Sequence, residues 1–182
     1  DNCVVFHGHG GVVVGSEMSG GVHDLFVSNC QFLGTDVGLR FKTARGRGGV
    51  VENVYIQDIS MKNISGEAIL FDMYYQGKDP VATFGNGDET PKIESKPVDA
   101  GTPQFNHIYV NRVVAKGAET GLLVRGLPEM PIHHIYLSNL DIEAKQTYRV
   151  IEATDIHISN ATFKQTGDKK PELLNVKRVE LN

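Results

Sequence analysis

The sequence predicts an all-β fold in which short strands stack in successive coils, a β-solenoid. Five segments share one pattern of alternating apolar, β-branched and aromatic residues, which is typical of strands. They recur at a roughly constant interval, and such internal repetition indicates a solenoid. No amphipathic helical periodicity lies between them, which argues against a helix bundle and a doubly wound α/β sheet. The five segments are Asp24–Asn29, Asn53–Asp58, His107–Arg112, His134–Asn139 and Asp155–Asn160.

Each segment is followed half a coil later by a second apolar run, so we expect two or three strands per coil. The interval between the segments starting at 53 and 107 is doubled. Residues 77–104 account for it, because they hold four prolines and four glycines. We predict an insertion loop at about 77–104 within a single domain of residues 1–182. Loops of this length are typically functional or unstructured, and this one is expected to cover the same cleft as the preceding run.

A polar residue at one register position of each coil predicts a ladder at one corner of the solenoid. Stacked asparagine side chains can hydrogen-bond to the coils above and below. A preference of asparagine for turns explains one such position but not several in register. The predicted column is Asn2, Asn29, Asp58, Arg112, Asn139 and Asn160.

Two cysteines, Cys3 and Cys30, occupy equivalent positions in neighbouring coils. Stacked strands would place them within reach of a disulfide. Because a disulfide also requires a specific torsion, we predict two free thiols buried as small apolar side chains, with a bond as the alternative.

Composition excludes several function classes. The formal net charge is −4, and the 18 Lys and Arg residues are spread along the chain, so we expect no nucleic-acid partner. No apolar stretch is long enough to span a membrane, and we expect no membrane partner. The N-terminus lacks signal-peptide features and enters the repeat part-way through a coil, so we interpret the chain as a fragment truncated at its N-terminal side.

One stretch concentrates polar chemistry. His9 lies between glycines, and about one coil later a cluster of four basic residues ends in a glycine-rich turn. Arg40 and Lys42 are two apart on a predicted strand, so they would point to the same face and could clamp a carboxylate. Arg45 and Arg47 extend this cluster. We expect no metal or cofactor, and we interpret the later histidines as surface or ladder residues.

The motifs Gly8-His9-Gly10, Gly15-Ser16 and Arg40-Phe41-Lys42 resemble those of the family-28 glycoside hydrolases, the polygalacturonases. The resemblance extends from about residue 2 to residue 165. It implies a right-handed parallel β-helix and an enzyme that hydrolyses galacturonate-containing pectic polysaccharide with inversion. It also implies an acidic polysaccharide as partner, a monomer, and a secreted or periplasmic protein with a signal peptide upstream of this fragment.

The resemblance assigns roles to individual residues. His9 would hydrogen-bond to the catalytic carboxylates and tune them. Arg40 and Lys42 would bind the galacturonate carboxylate, and Phe41 replaces the isoleucine usual between them. Tyr75, or its neighbour Tyr74, aligns with a substrate-contacting tyrosine. Arg45 is added as a substrate-binding residue because of its place in the basic turn.

The chain departs from the family at the acid and base. Family members carry these in Asn-Thr-Asp and Asp-Asp motifs roughly one coil before Gly-His-Gly, and this chain begins eight residues before His9. Asp36 and Asp72 lie near the same face but match neither motif. We therefore predict that the fragment alone is inactive. The alternatives are a non-catalytic β-solenoid that binds acidic polysaccharide and a β-helix polysaccharide lyase.

Overall fold

The structure, a computed structural model, describes residues 1–75 and 94–181. Its nine strands belong to one sheet, and neighbouring strands pair in parallel. None of the described residues forms a helix long and apolar enough to cross a membrane. The strands are β1 Val4–Phe6, β2 Val12–Gly15, β3 Val22–Leu33, β4 Leu39–Lys42, β5 Val50–Lys62, β6 Glu67–Asp72, β7 Gln104–Arg125, β8 Ile132–Gln165 and β9 Glu172–Leu181.

The order of pairing shows that the chain coils. Strands β1, β3, β5 and β7 form one series, and β2, β4, β6 and β7 form another. The chain visits both series in each turn, and each of the strands β1 to β8 pairs with a strand one turn later. This arrangement confirms the predicted all-β parallel β-helix.

The strands are longer than the sequence suggested, because several run through a corner of the coil without a break. β7 has 22 residues and β8 has 34. Single residues in the left-handed conformation bend the chain at each corner. The predicted polar column is one such set, with φ between 48° and 57° at all six positions. Asn and Asp are enriched in this conformation, which explains their recurrence there.

The corner column is a ladder, but its chemistry changes along the axis. In the middle coils an ion pair takes the place of the amides: the Arg112 guanidinium donates to both oxygens of Asp58, at 2.6 and 2.8 Å. Amide–amide hydrogen bonds of 2.5 Å join Asn29 to Asn2 and Asn160 to Asn139.

The core between the two series is built from the same kind of stacking. Phe41 and Phe71 are fully buried and stack with their centroids 4.9 Å apart. Phe105 meets Phe41 edge-on at 6.3 Å. Strand alternation puts these rings inside and turns the residues on either side of them to the opposite face of the strands.

A second aromatic column lies on the outer surface of the first strand series, and we call it the aromatic ladder. Successive rings stack nearly parallel, with centroids 4.9 to 5.2 Å apart. This spacing is close to the separation of neighbouring strands. The ladder consists of Phe26, Tyr55, Tyr109, Tyr136 and His157.

Both cysteines are free, as predicted. Cys30 is buried, but the expectation that both thiols are buried is wrong, because Cys3 is exposed. Cys3 precedes β1, which pairs on one side only, with β3.

Residues 77–93, most of the predicted insertion loop, lie outside the described residues. The described part, residues 94–103, is irregular and leads into β7. It returns over the basic glycine-rich turn: Gly46 and Gly48 both donate their backbone N–H to the carbonyl oxygen of Gly101, at 2.8 and 2.9 Å. This end of the loop is therefore fastened beside Arg45.

Candidate active site

The predicted carboxylate clamp lies on the outer face of the second strand series. Phe41 is fully buried in the core, so its neighbours Arg40 and Lys42 lie on the opposite, outer side of β4. In register, Arg40 lies between Val13 of β2 and Leu70 of β6, and Lys42 lies between Gly15 and Asp72. We call this outer face of β2, β4 and β6, together with the turns that precede β2 and β4 and with Tyr75 after β6, the site strip.

His9 enters the site strip from the turn before β2 and binds an aspartate of the next coil. Its Nδ1 lies 2.6 Å from Oδ2 of Asp36. The hydrogen bond from His9 holds the pKa of the Asp36 carboxyl below its usual range, with smaller contributions from Ser65 and Arg40 and with burial opposing. Asp36 is therefore ionised near neutral pH, and a carboxylate can only accept. A hydrogen bond between the two therefore requires Nδ1 as the donor, and Nε2 lies on the far side of the ring.

Arg40 connects the clamp to the histidine. Its Nη1 donates to the backbone carbonyl oxygen of His9 at 3.3 Å. Gly10 lies between them, and a Cβ atom there would collide with the Val13 side chain and lie 3.7 Å from Cδ of Arg40. Packing against Val13 is therefore a sufficient reason for a glycine at position 10.

Lys42 and Tyr75 are in contact, which the sequence did not indicate. The Lys42 Nζ lies 4.3 Å from the centroid of the Tyr75 ring, a cation–π contact. Lys42 is only 9% exposed. The neighbouring carboxylate in its register column, Asp72, is bound through both oxygens by Arg125, each at 2.9 Å. Arg125 therefore supplies a counter-charge to Asp72.

Arg45 has a different environment from Arg40 and Lys42. Its Nε and Nη2 donate to both carboxylate oxygens of Glu129, at 2.5 and 2.9 Å, and Nη2 also donates to the carbonyl oxygen of Glu94. The Glu129 side chain is 4% exposed. Burial alone would raise the pKa of Glu129, but the hydrogen bonds from Arg45 and from backbone N–H groups keep it below the usual range. Arg45 thus holds an ion pair that fastens the returning loop.

Tyr74, the alternative to Tyr75, belongs to this ion-pair region. The guanidinium groups of Arg45 and Arg125 lie 5.6 and 5.8 Å from its ring centroid. Burial, offset in part by Arg45, raises the pKa of the Tyr74 hydroxyl to about 12. Of the two adjacent tyrosines, Tyr75 is the one that contacts Lys42.

The histidines outside the site strip have structural partners. His107 stacks on His134 with centroids 4.7 Å apart, and the Nδ1 atoms of His133 and His134 are 2.7 Å apart. His157 is hydrogen-bonded to Glu180 at 2.9 Å. Over residues 1–75 and 94–181, no group of three His, Cys, Asp or Glu side chains is arranged to hold a metal ion.

The sequence model of the glycosyl hydrolases family 28 matches residues 1–121. The chain belongs to this family. Its relatives include an exo-poly-α-D-galacturonosidase of Dickeya chrysanthemi, 26% identical over 161 residues, which are 86% of this chain and 25% of that protein. An endopolygalacturonase B of Aspergillus niger is 34% identical over 93 residues, 50% of this chain and 26% of the relative.

A solved structure supports the fold independently. The family 28 exopolygalacturonase of Yersinia enterocolitica superposes with a TM-score of 0.66 at 18% identity, covering 97% of this chain and 29% of that protein. This family-28 chain therefore spans about a quarter of the length of the relatives that it matches.

In this family-28 chain, four predicted site residues are brought together on the site strip, and Arg45 is held apart by Glu129. The contact between His9 and Asp36 was not predicted, although the sequence carries a signal for it. The two residues are 27 positions apart, the same interval that separates the laddered Asn2 and Asn29. The four predicted site residues on the strip are His9, Arg40, Lys42 and Tyr75.

Proposed function

We propose that the protein containing this chain hydrolyses glycosidic bonds of a galacturonate-containing pectic polysaccharide, with inversion at the sugar carbon. The observation that carries the proposal is the site strip, where His9, Arg40 and Lys42 lie on the same side of the coil and Arg40 is hydrogen-bonded to His9. Family membership supports the reaction class, and the relatives named above support the substrate class.

The site strip suits a uronic acid. Each galacturonate unit carries one carboxylate, for which a guanidinium offers a planar pair of donors and an ammonium a compact point charge. Lys42 lies against Tyr75 and is nearly buried, so its charge is poorly screened by water. A carboxylate bound there would displace little water and gain a strong contact.

We place the acid and the base elsewhere in the protein. Inverting hydrolysis uses two carboxyl groups separated by about 6.5 to 9.5 Å. On the site strip, Asp36 is bound to His9 and Asp72 to Arg125. We propose that a segment outside these 182 residues supplies both carboxyl groups, that this chain alone is inactive, and that the whole protein acts as a secreted or periplasmic monomer.

The test is release of reducing ends from polygalacturonate by the full-length protein, by its His9→Ala and Lys42→Ala variants, and by the 182-residue chain. Each substitution is expected to lower the rate by on the order of 100-fold or more, since it removes a group aimed at substrate or at the catalytic carboxyl groups. The isolated chain should release none.

Lys116→Ala is the matched control, because Lys116 is an exposed lysine on β7 outside the site strip. Retained activity in His9→Ala and Lys42→Ala would reject the proposal. An inactive full-length protein that still binds polygalacturonate through Lys42 would point to a binding solenoid. Products with the ultraviolet absorbance of a new double bond would identify a lyase.

A further inference from the structure

We propose that Asp36 is a positioning residue that fixes the tautomer and the ring orientation of His9. This inference rests on the proposed function, because it concerns the same histidine. In this proposal Asp36 contacts no reacting group and acts only through the imidazole ring of His9.

The backbone of Asp36 is held between two coils. Its N–H donates to the carbonyl oxygen of Gly8 at 3.0 Å, and its own carbonyl oxygen accepts from Gly66 at 2.7 Å. These bonds fix Asp36 in register with the residues just before His9. The carboxylate then reaches Nδ1 of His9 at 2.6 Å, and Ser65 Oγ lies 3.4 Å from its other oxygen. The aspartate is therefore fixed by contacts with both neighbouring coils.

The histidine is fixed on its other side as well. Arg40 donates to the His9 carbonyl oxygen at 3.3 Å, so backbone and ring have one partner each. With Nδ1 donating to a carboxylate, a neutral ring presents Nε2 as an acceptor, and a protonated ring presents Nε2–H as a donor. In either state Nε2 is the nitrogen available to a catalytic carboxyl group. A carboxylate behind a functional histidine commonly has this effect.

Stability is a poor explanation for the pair. The side chains of His9 and Asp36 are 72% and 57% exposed in this chain, and exposed ion pairs contribute little to folding. An orienting contact needs only to hold the ring in one state. The structure also provides a comparison, because His23 and Asp24 form a similar exposed pair at 2.9 Å, outside the site strip.

The experiment measures kcat and KM on polygalacturonate for the full-length protein and its Asp36→Asn, Asp36→Glu, His9→Gln and Asp24→Asn variants. Asp36→Asn is expected to lower kcat by on the order of 100-fold with KM within about twofold, because substrate contacts persist while the ring loses its preferred tautomer. Asp36→Glu keeps a carboxylate, so its kcat should be at least about tenfold higher than that of Asp36→Asn. Asp24→Asn should match the parent protein.

Nitrogen-15 NMR of the imidazole rings provides a readout that a structural role would not move. The His9 signals are identified by their loss in His9→Gln. At a pH where the ring is neutral, His9 should carry its proton on Nδ1 in the parent protein and lose this preference in Asp36→Asn. The proposal is overturned if kcat of Asp36→Asn stays within about threefold of the parent, or if the tautomer is unchanged.

These outcomes separate the inference from the proposed function. Full activity of His9→Gln would remove the role proposed for His9, and with it any role for Asp36. Loss of activity in His9→Gln with full activity in Asp36→Asn would leave the proposed function standing and reject the positioning role alone.

Discussion

The aromatic ladder and the site strip lie on two strand series of the same coil and differ in how their columns repeat. Along the ladder each coil contributes another aromatic ring at a spacing of 4.9 to 5.2 Å. Along the site strip the residue type changes with every coil: Gly15, Lys42 and Asp72 occupy one column. In the aromatic ladder, like residues of successive coils contact one another. On the site strip the residue type changes from coil to coil, and a charged group such as Lys42 can bind a ligand.

Charge follows the same division. In the polar corner column, beside the aromatic ladder, the Asp58 and Arg112 side chains form an ion pair with each other. On the site strip Arg40 is hydrogen-bonded to a carbonyl oxygen and Lys42 contacts a ring. The carboxylates of Asp36 and Asp72 lie on the same strip, but each is bound by another residue, His9 or Arg125, so the charges of Arg40 and Lys42 can still bind an anionic ligand.

Substitution of Arg45 should give the largest effect, and it tests whether Arg45 belongs to the site strip. Arg45→Ala would leave Glu129 buried without its partner, so we expect the free energy of unfolding to fall by about 3 kcal/mol. Chemical denaturation measures this loss. Adding Glu129→Gln should restore part of it. If Arg45→Ala instead leaves stability intact and raises KM for polygalacturonate, Arg45 belongs with the clamp, as the sequence predicted.

Tyr109 tests the ladder. It stacks between Tyr55 and Tyr136 at 5.0 and 4.9 Å, so Tyr109→Ala removes two ring contacts, worth about 2 kcal/mol together. Thermal or urea unfolding should show this loss, and activity of the full-length protein should be unchanged. Tyr109→Phe keeps both ring contacts and should be near neutral. An equal loss in both variants would show that the hydroxyl, and not stacking, matters.

The corner ion pair should give the smallest effect, and one that depends on pH. The hydrogen bond from Arg112 lowers the pKa of Asp58, and the positive charge of Arg112 adds to this effect. Burial acts in the opposite direction but is outweighed. Because the pKa of Asp58 is lower in the folded state than in the unfolded state, the ion pair contributes stability above about pH 4. That contribution is lost as the pH falls through the folded-state pKa. The urea midpoint of the parent protein should therefore exceed that of Asp58→Asn at pH 6, and the difference should shrink at pH 3. A constant difference would contradict this origin.

The fold was largely predictable because a β-helix repeats its pattern locally. The polar corner column, the inward-facing Phe41 and the common face of Arg40 and Lys42 all follow from the period of the coil and from strand alternation. Strand length was not predictable, since a single left-handed residue such as Asp58 bends a strand without ending it. Nothing in a local window distinguishes such a bend from a break.

The candidate site was predicted in part. The spacing of His9, Arg40 and Lys42 in the sequence was enough to single them out, and Tyr75 followed from the resemblance. The ion pair of Arg45 with Glu129 could not be predicted from the sequence, because the two residues are 84 positions apart. Their contact depends on how the turn after β4 and the segment before β8 come together.

The sequence by itself determined the coil, its register and the residues that interrupt its repetition, because each depends on short-range periodicity. Only the tertiary structure decided which charges are paired. Arg40, Lys42 and Arg45 read alike in sequence, yet the first donates to a backbone carbonyl oxygen, the second lies on a tyrosine ring and the third is bound by a buried glutamate. The physical reason is that the partner of a charge is set by the coils and loops that pack beside it, and these are distant along the chain.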